Sequence, residues 1–157
     1  MTMTRWNWFT FDELSSSELY QILRLRSEVF VVEQECAYQD LDGKDFLAEH
    51  LMGYDGTQLM GTARILPVGV AYADAISIGR ITVGLRYRNQ HLGQELVQQA
   101  IARCRQLEPT RDILIGAQAR LQGFYQSLGF IAEGSVYDED GIDHITMRLA
   151  VGANSHA

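Results

Sequence analysis

Residues 75–96 read "AISIGRITVGLRYRNQHLGQEL". Ile76 and Ile78 alternate on even positions, whereas Ile81 and Val83 alternate on odd ones, so the apolar face changes phase at Gly79 and Arg80. A strand that changes phase at such a point predicts a β-bulge, which bends the strand and releases main-chain groups from a neighbour. The segment then passes through a basic, amide-rich turn into a helix whose apolar face carries Leu92, Leu96, Val97, Ala100, Ile101, Cys104 and Leu107. A helix start offers main-chain N–H groups and a partial positive charge to an anion. Arg88 adds a forked cation, and Gly93 lets a ligand come close to the backbone. The turn has no Gly-Lys-Ser/Thr and lacks the glycines of a dinucleotide fingerprint, so neither kind of nucleotide loop is expected.

Working outward, "DILIGAQ" after Pro109 reads as a short buried strand, so strand, helix and strand form a βαβ unit with parallel strands. Leu121, Phe124, Tyr125 and Leu128 then keep helical spacing up to Gly129, placed to close that helix, and Phe130 is placed to pack back on it. Asp140-Gly141 predicts a two-residue hairpin turn that sets Tyr137 opposite His144. Before the bulged strand, "RWNWFTF" opens the fold as a strand, and Ser15 with Glu18 forms a capping box. The helix after it carries Leu19, Ile22, Leu23, Arg26, Val29 and Phe30, helical spacing with one charged interruption. "YDGTQ" joins two further strands as an antiparallel hairpin. The expected architecture is a single α/β domain over residues 1–150, with a mixed central sheet, a bulged fourth strand, helices on both faces, and a frayed tail at 151–157.

The chain has 157 residues and a formal charge of −7, which disfavours nucleic acid as partner and favours a cation. No apolar run is long enough to cross a bilayer, and "MTMTRWNWF" is not a hydrophobic targeting segment. Cys36 and Cys104 make neither a disulfide framework nor a metal cluster, which points to a reducing cytoplasm. "DLDGKD" misses the calcium-loop pattern because Lys44 falls where an oxygen ligand is needed, and four scattered histidines give no metal site. Seven carboxylates (Glu28, Glu33, Glu35, Asp40, Asp42, Asp45 and Glu49) fall between residues 28 and 49 against Lys44. They read as a soluble surface or, alternatively, as a funnel for a cationic amine.

The run "ITVGLRYRNQHLGQEL" resembles the pyrophosphate-binding segment of the GNAT superfamily of N-acetyltransferases, with Arg88 and Gly93 at its first and last motif positions and His91 where a glycine is usual. "QARLQGFYQSLGF" is similar to the family's later helix, with Gln118 where Asn is usual. "RSEVFVVEQECAYQDLDGKD" and "VYDEDGIDHITM" resemble the ElaA-type branch. The resemblance implies a GNAT-like fold and acetyl-CoA as co-substrate. Its pantetheine arm would run along Ile81, Thr82 and Val83, and its pyrophosphate would lie on Arg88, Asn89, Gln90, His91, Leu92, Gly93 and Gln94. Gln118 and Tyr125 would complete that site, with Tyr125 giving a proton to the departing thiolate.

An alkylammonium with pKa about 10.4 is only roughly 0.04% neutral at pH 7, a deficit of about 4.6 kcal/mol, so a proton acceptor or a water route is required. Glu33 is the first candidate, followed by His144, paired with Tyr137, and His50; these four also form the expected acceptor site. The Val83 N–H is a candidate donor to the thioester carbonyl. The reading is direct attack by a primary amine, of a small molecule or a peptide, in a ternary complex. Alternatives are an acyl-homoserine-lactone synthase-like acyltransferase and a non-catalytic acyl-CoA-binding module. Short sheet edges would permit a homodimer.

Overall fold

The computed structural model describes residues 4–152. Seven strands form one sheet: β1 (Arg5–Thr10), β2 (Glu49–Asp55), β3 (Gln58–Leu66), β4 (Ile76–Val83), β5 (Ile113–Gln118), β6 (Ile131–Glu139) and β7 (Ile142–Leu149). Their spatial order is β1-β2-β3-β4-β5-β7-β6. Only β4 and β5 run parallel, as expected from the helix between them, and every other pair is antiparallel. Three α-helices accompany the sheet: α1 (Ser16–Arg26), α2 (Leu92–Leu107) and α3 (Gln122–Ser127).

Side-chain alternation divides the sheet between helices. Met52 and Tyr54 of β2 pack with Ile22 of α1, while Leu51 and Ala63 pack with Leu96 of α2 on the opposite face. The larger core joins Val97, Ala100, Ile101 and Cys104 of α2 to Ile76, Ile78, Ile113 and Ile115. Helices therefore cover both faces. The Ser15–Glu18 capping box forms in both directions, at 3.0 and 2.8 Å.

After Arg26 the first helix widens into a π-helical segment, Ser27–Glu33, with Gln34 N–H reaching Val29 O and Cys36 N–H reaching Val31 O. The regular helical spacing expected through Phe30 therefore ends four residues earlier. Widening the coil turns Val29 and Phe30 towards a cavity instead of extending one core stripe. Of the predicted tail, Val151 and Gly152 form a turn, and positions 153–157 lie outside the described residues.

The bulge is present. Thr62 pairs with Thr82, but Arg64 pairs with Gly79, so β4 carries an extra residue opposite β3. Its left-handed residue is Arg80, at φ +49°, and not Gly79. The Thr82 hydroxyl donates to Arg80 O at 2.9 Å, satisfying a carbonyl that the ladder has lost. One extra residue restores the apolar phase, so Ile76, Ile78, Ile81 and Val83 all face the α2 side despite their opposite parity.

Candidate functional site

The bulge opens the sheet. β4 and β5 pair only at Ile76–Ile113 and Ser77–Leu114, and beyond Ser77 the two strands separate around a cavity of about 990 Å³. Gly84 N–H donates to Met60 O on the β3 side at 2.8 Å, whereas Val83 O accepts from Arg88 away from β3. Since N–H and C=O of one strand residue point the same way, the Val83 amide faces the open side. Ile81, two residues back, lines the cavity as well.

At the end of this split lies the 88–94 turn. Asn89 and His91 are both left-handed, at φ +64° and +58°, and His91 is the N-cap of α2 without any side-chain cap. The glycine usual at position 91 is explained by this conformation, which costs an L-residue roughly 1–2 kcal/mol. Gly93 has normal φ, and a Cβ there would meet Phe124 and Val83 only at 3.8 Å. Nothing in the protein's own packing requires glycine at 93.

Arg88 is not free to serve as an isolated phosphate fork. Its Nη1 and Nη2 hold both oxygens of Glu33, and its Nε and Nη2 donate to Val83 O at 3.3 and 3.2 Å. This corrects the reading of Glu33 as an unencumbered base. The Arg88 hydrogen bonds, partly opposed by burial, hold its carboxyl below the ordinary range, which weakens it as a proton acceptor. His50 is also misplaced for that role. It is buried on β2 with Nε2 against Asp45 O at 3.0 Å, does not line the cavity, and is pushed towards the neutral form by burial.

The third base candidate does line the cavity. Tyr137 pairs with His144 as predicted, across an Asp140-Gly141 turn at φ +53° and +82°. Their rings stack at 5.9 Å and 29°. His144 Nδ1 lies 2.7 Å from Ile142 O, a carbonyl that can only accept, so Nδ1 carries a proton, and Nε2 lies 3.3 Å from Glu139, which it pairs with when it too is protonated. Tyr125 is 6% exposed, edge-on to Phe124 and Phe130, yet it borders the cavity, and burial pushes its phenol up to about 12. Gln118 also lines the cavity, exchanging hydrogen bonds with Gln34 at 3.4 and 3.5 Å and accepting from Arg120. Cys104 is buried, with its thiol pushed up to about 12 by burial, so it offers no nucleophile.

The acidic stretch is neither a plain surface nor a funnel. Six of its seven carboxylates pair with arginine: Glu28 with Arg24, Glu33 with Arg88, Asp40 with Arg26 and Arg80, Asp42 with Arg64 and Arg80, Asp45 with Arg26 and Arg64, and Glu49 with Arg103. Arg26, the one charged interruption in the first helix, is 1% exposed at the centre of this network. Arg80, the bulge residue, donates from Nε to Asp40 Oδ1 at 2.7 Å and from Nη2 to Asp40 O at 3.0 Å. The loop over 38–45 thus braces the bulge. Sequence reading missed this, because counting acids does not reveal distant arginines. It also missed Tyr72 in the β3–β4 connection, for which the sequence carries no signal, and Glu139, which shares a strand face with Tyr137 and could have been found from parity.

This arrangement, a sheet split beside a bulge with an uncapped helix at its mouth, lies within a fold shared with GNAT acyltransferases. The family model described as acetyltransferase (GNAT) domain matches residues 14–151, and the chain belongs to that family. It is 43% identical over 151 residues to protein ElaA of Escherichia coli K12, covering 95% of this chain and 98% of that one. The crystal structure of Escherichia coli ElaA superposes with a TM-score of 0.87, at 42% identity, covering 93% and 99% of the two chains. An acyl-CoA N-acyltransferase from Pseudomonas aeruginosa matches with a TM-score of 0.88, at 38% identity, over 94% and 100%. Among the described residues no helix is long and apolar enough to cross a membrane, and no group of His, Cys, Asp and Glu could hold a metal ion.

Proposed function

We propose that the chain transfers an acetyl group from acetyl-CoA to a primary amine by direct attack in a ternary complex. The observation that carries this reading is the separation of β4 from β5 beyond Ser77, which leaves main-chain groups of β4 facing a cavity that ends at the uncapped start of α2. Pantetheine, itself built of amides, would pair with Ile81 and Val83 as a substitute strand, Thr82 facing β3. The pyrophosphate would rest on the amides of the turn from Arg88 to Gln94, with Leu92 anchoring that turn in the core. Arg88, held by Glu33 and Val83 O, would keep the turn in position and offer its remaining N–H to phosphate.

The chemistry follows from the same residues. The amine nitrogen attacks the thioester carbon, a C–N bond forms, the C–S bond breaks, and the ammonium proton passes to a base. We assign that base to His144 Nε2, because Nδ1 is engaged by Ile142 O and Glu139 stands beside the ring to stabilise the imidazolium. The Val83 N–H would donate to the thioester oxygen as charge develops there. Tyr125 supports the leaving thiolate. Burial pushes this phenol up to about 12, which makes it a poor donor for complete proton transfer. Hydrogen-bond donation to the thiolate is the role its burial favours. The two free thiols, Cys36 and Cys104, fit a reducing compartment such as the cytoplasm.

Thiol release from acetyl-CoA with an alkylamine, with product mass, tests the reading. The wild-type protein should bind acetyl-CoA by calorimetry and release thiol only with amine present. Tyr125→Phe should keep the fold and lower kcat about tenfold or more, with acetyl-CoA affinity unchanged. Full turnover in that variant removes the tyrosine from the mechanism, and failure of the wild type to bind acetyl-CoA removes the proposal.

A further inference from the structure

The cavity has a second end, away from the 88–94 turn, where two tyrosines from different elements meet. Tyr137 comes from the β6–β7 hairpin and Tyr72 from the β3–β4 connection, and both border the cavity. Their hydroxyls converge over Gly116 of β5: a Cβ built there would lie 2.9 Å from Tyr137 Oη and 3.8 Å from Tyr72 Oη. His144 stacks on Tyr137, and Glu139 stands 3.3 Å from His144 Nε2. Strand parity puts Tyr137 and Glu139 on one face, with His144 opposite Tyr137. Burial, with the charge of Glu139 as a smaller cause, raises both phenols, so they stay neutral hydroxyls at ordinary pH.

The charges on the wall decide what this end would take. Five cations border the cavity: Arg64, Arg80 and Arg88 are engaged by Asp40, Asp42, Asp45 and Glu33, Arg120 donates to Gln118, and Lys44 stands on the 38–45 loop, so none of them pairs with Glu139. Glu139 has no arginine or lysine partner among the described residues, and only His144 pairs with it. A carboxylate without a permanent cation, beside two phenols and a stacked aromatic pair, is a receptor for a cation. An ammonium held by Glu139 also lies next to the ring nitrogen that must take its proton.

We propose that Tyr72, Tyr137, His144 and Glu139 over Gly116 form the acceptor pocket, and that it takes the terminal ammonium of an alkylamine in preference to the amino group of an α-amino acid. Glu139 supplies the counter-charge, and its repulsion of a neighbouring carboxylate sets the preference. The proposal rests on the acyl-transfer reading of the cavity and adds to it the class of acceptor and two residues, Tyr72 and Glu139.

The test uses the full chain with butylamine, 1,4-diaminobutane and alanine as acceptors, with acetyl-CoA affinity measured separately by calorimetry. The alkylamines should be acetylated with higher kcat/KM than alanine. Glu139→Gln, an exposed position that leaves folding alone, should raise KM for butylamine about tenfold and leave acetyl-CoA affinity unchanged. Tyr72→Leu should raise the same KM by a smaller factor. Unchanged butylamine KM in both variants, acetylation of none of the alkylamines, or a preference for alanine overturns the pocket while the donor site stands. Loss of acetyl-CoA binding in the wild type instead overturns the acyl-transfer reading itself.

Discussion

Two segments border the same cavity and treat their polar groups in opposite ways. In the loop over 38–45, Asp40 and Asp45 are buried and every carboxylate is answered by two arginines drawn from α1, β3 and β4. In the turn over 88–94, a left-handed N-cap leaves the start of a 16-residue helix without a side-chain cap. The first segment's charges are answered within the chain, and the second segment's helix-start amides have no side-chain partner. Among polar groups of similar strength, the ones that folding leaves unanswered mark where binding takes place, and the ones it answers mark what holds the frame.

The largest effect should come from breaking the first segment. Arg26→Met leaves Asp40 and Asp45 buried with one arginine fewer each and should cost about 3–5 kcal/mol of stability, measured by urea unfolding. The same network sets a pH dependence. Burial alone would raise the carboxyls of Asp42 and Asp45, but hydrogen bonds from Arg64 and Arg26 outweigh it and hold them below the ordinary range. Groups with lowered pKa contribute fully above their unfolded value of about 4 and lose that contribution as pH falls through the folded value. Wild-type protein should therefore lose more stability than Arg26→Met does as pH falls below about 4. Equal acid sensitivity in the two proteins would detach the arginine from the network.

How much of this was legible in the sequence depends on range. The bulge was readable because parity is local: Ile76, Ile78, Ile81 and Val83 report it within eight residues. The hairpin register that sets Tyr137 against His144 was readable because Asp140-Gly141 fixes it by turn geometry. What stayed hidden depends on partners far along the chain. The phase change was placed at Gly79 and Arg80 without showing that Arg80 is the left-handed residue, braced by an aspartate forty positions earlier. Glu33 looked like a free acid because Arg88, fifty-five positions away, gives no local sign of reaching it. The π-helical widening after Arg26 was hidden too, since Val29 and Phe30 fit a regular helix on spacing alone.

The second segment gives the middle effect, and it should separate binding from stability. A methyl at Gly93 fits the protein's own packing, and alanine is favoured over glycine inside a helix by up to about 1 kcal/mol. Gly93→Ala should leave the melting temperature level or slightly raised. If the amides there serve acetyl-CoA, Gly93→Val should weaken its binding about tenfold or more by calorimetry, the larger side chain standing in the way. Unaltered affinity in the valine variant would mean that the turn is simply a solvated helix start.

The smallest effect concerns the one residue that departs from the family's glycine. His91 is held at φ +58° with no hydrogen bond from its side chain to the helix it begins. A left-handed histidine carries roughly 1 kcal/mol of backbone strain, which glycine would relieve, although glycine also gives back some of that gain through the freedom it adds to the unfolded chain. His91→Gly should therefore raise the melting temperature by about 1–3 °C. Its effect on acetyl-CoA separates two roles for the ring. If the imidazole contacts phosphate, the glycine variant binds more weakly. If the ring only stands where a glycine would leave the amide open, the variant binds at least as tightly. The uncapped geometry favours the second outcome, because the amides, and not a side chain, are what the turn leaves unanswered.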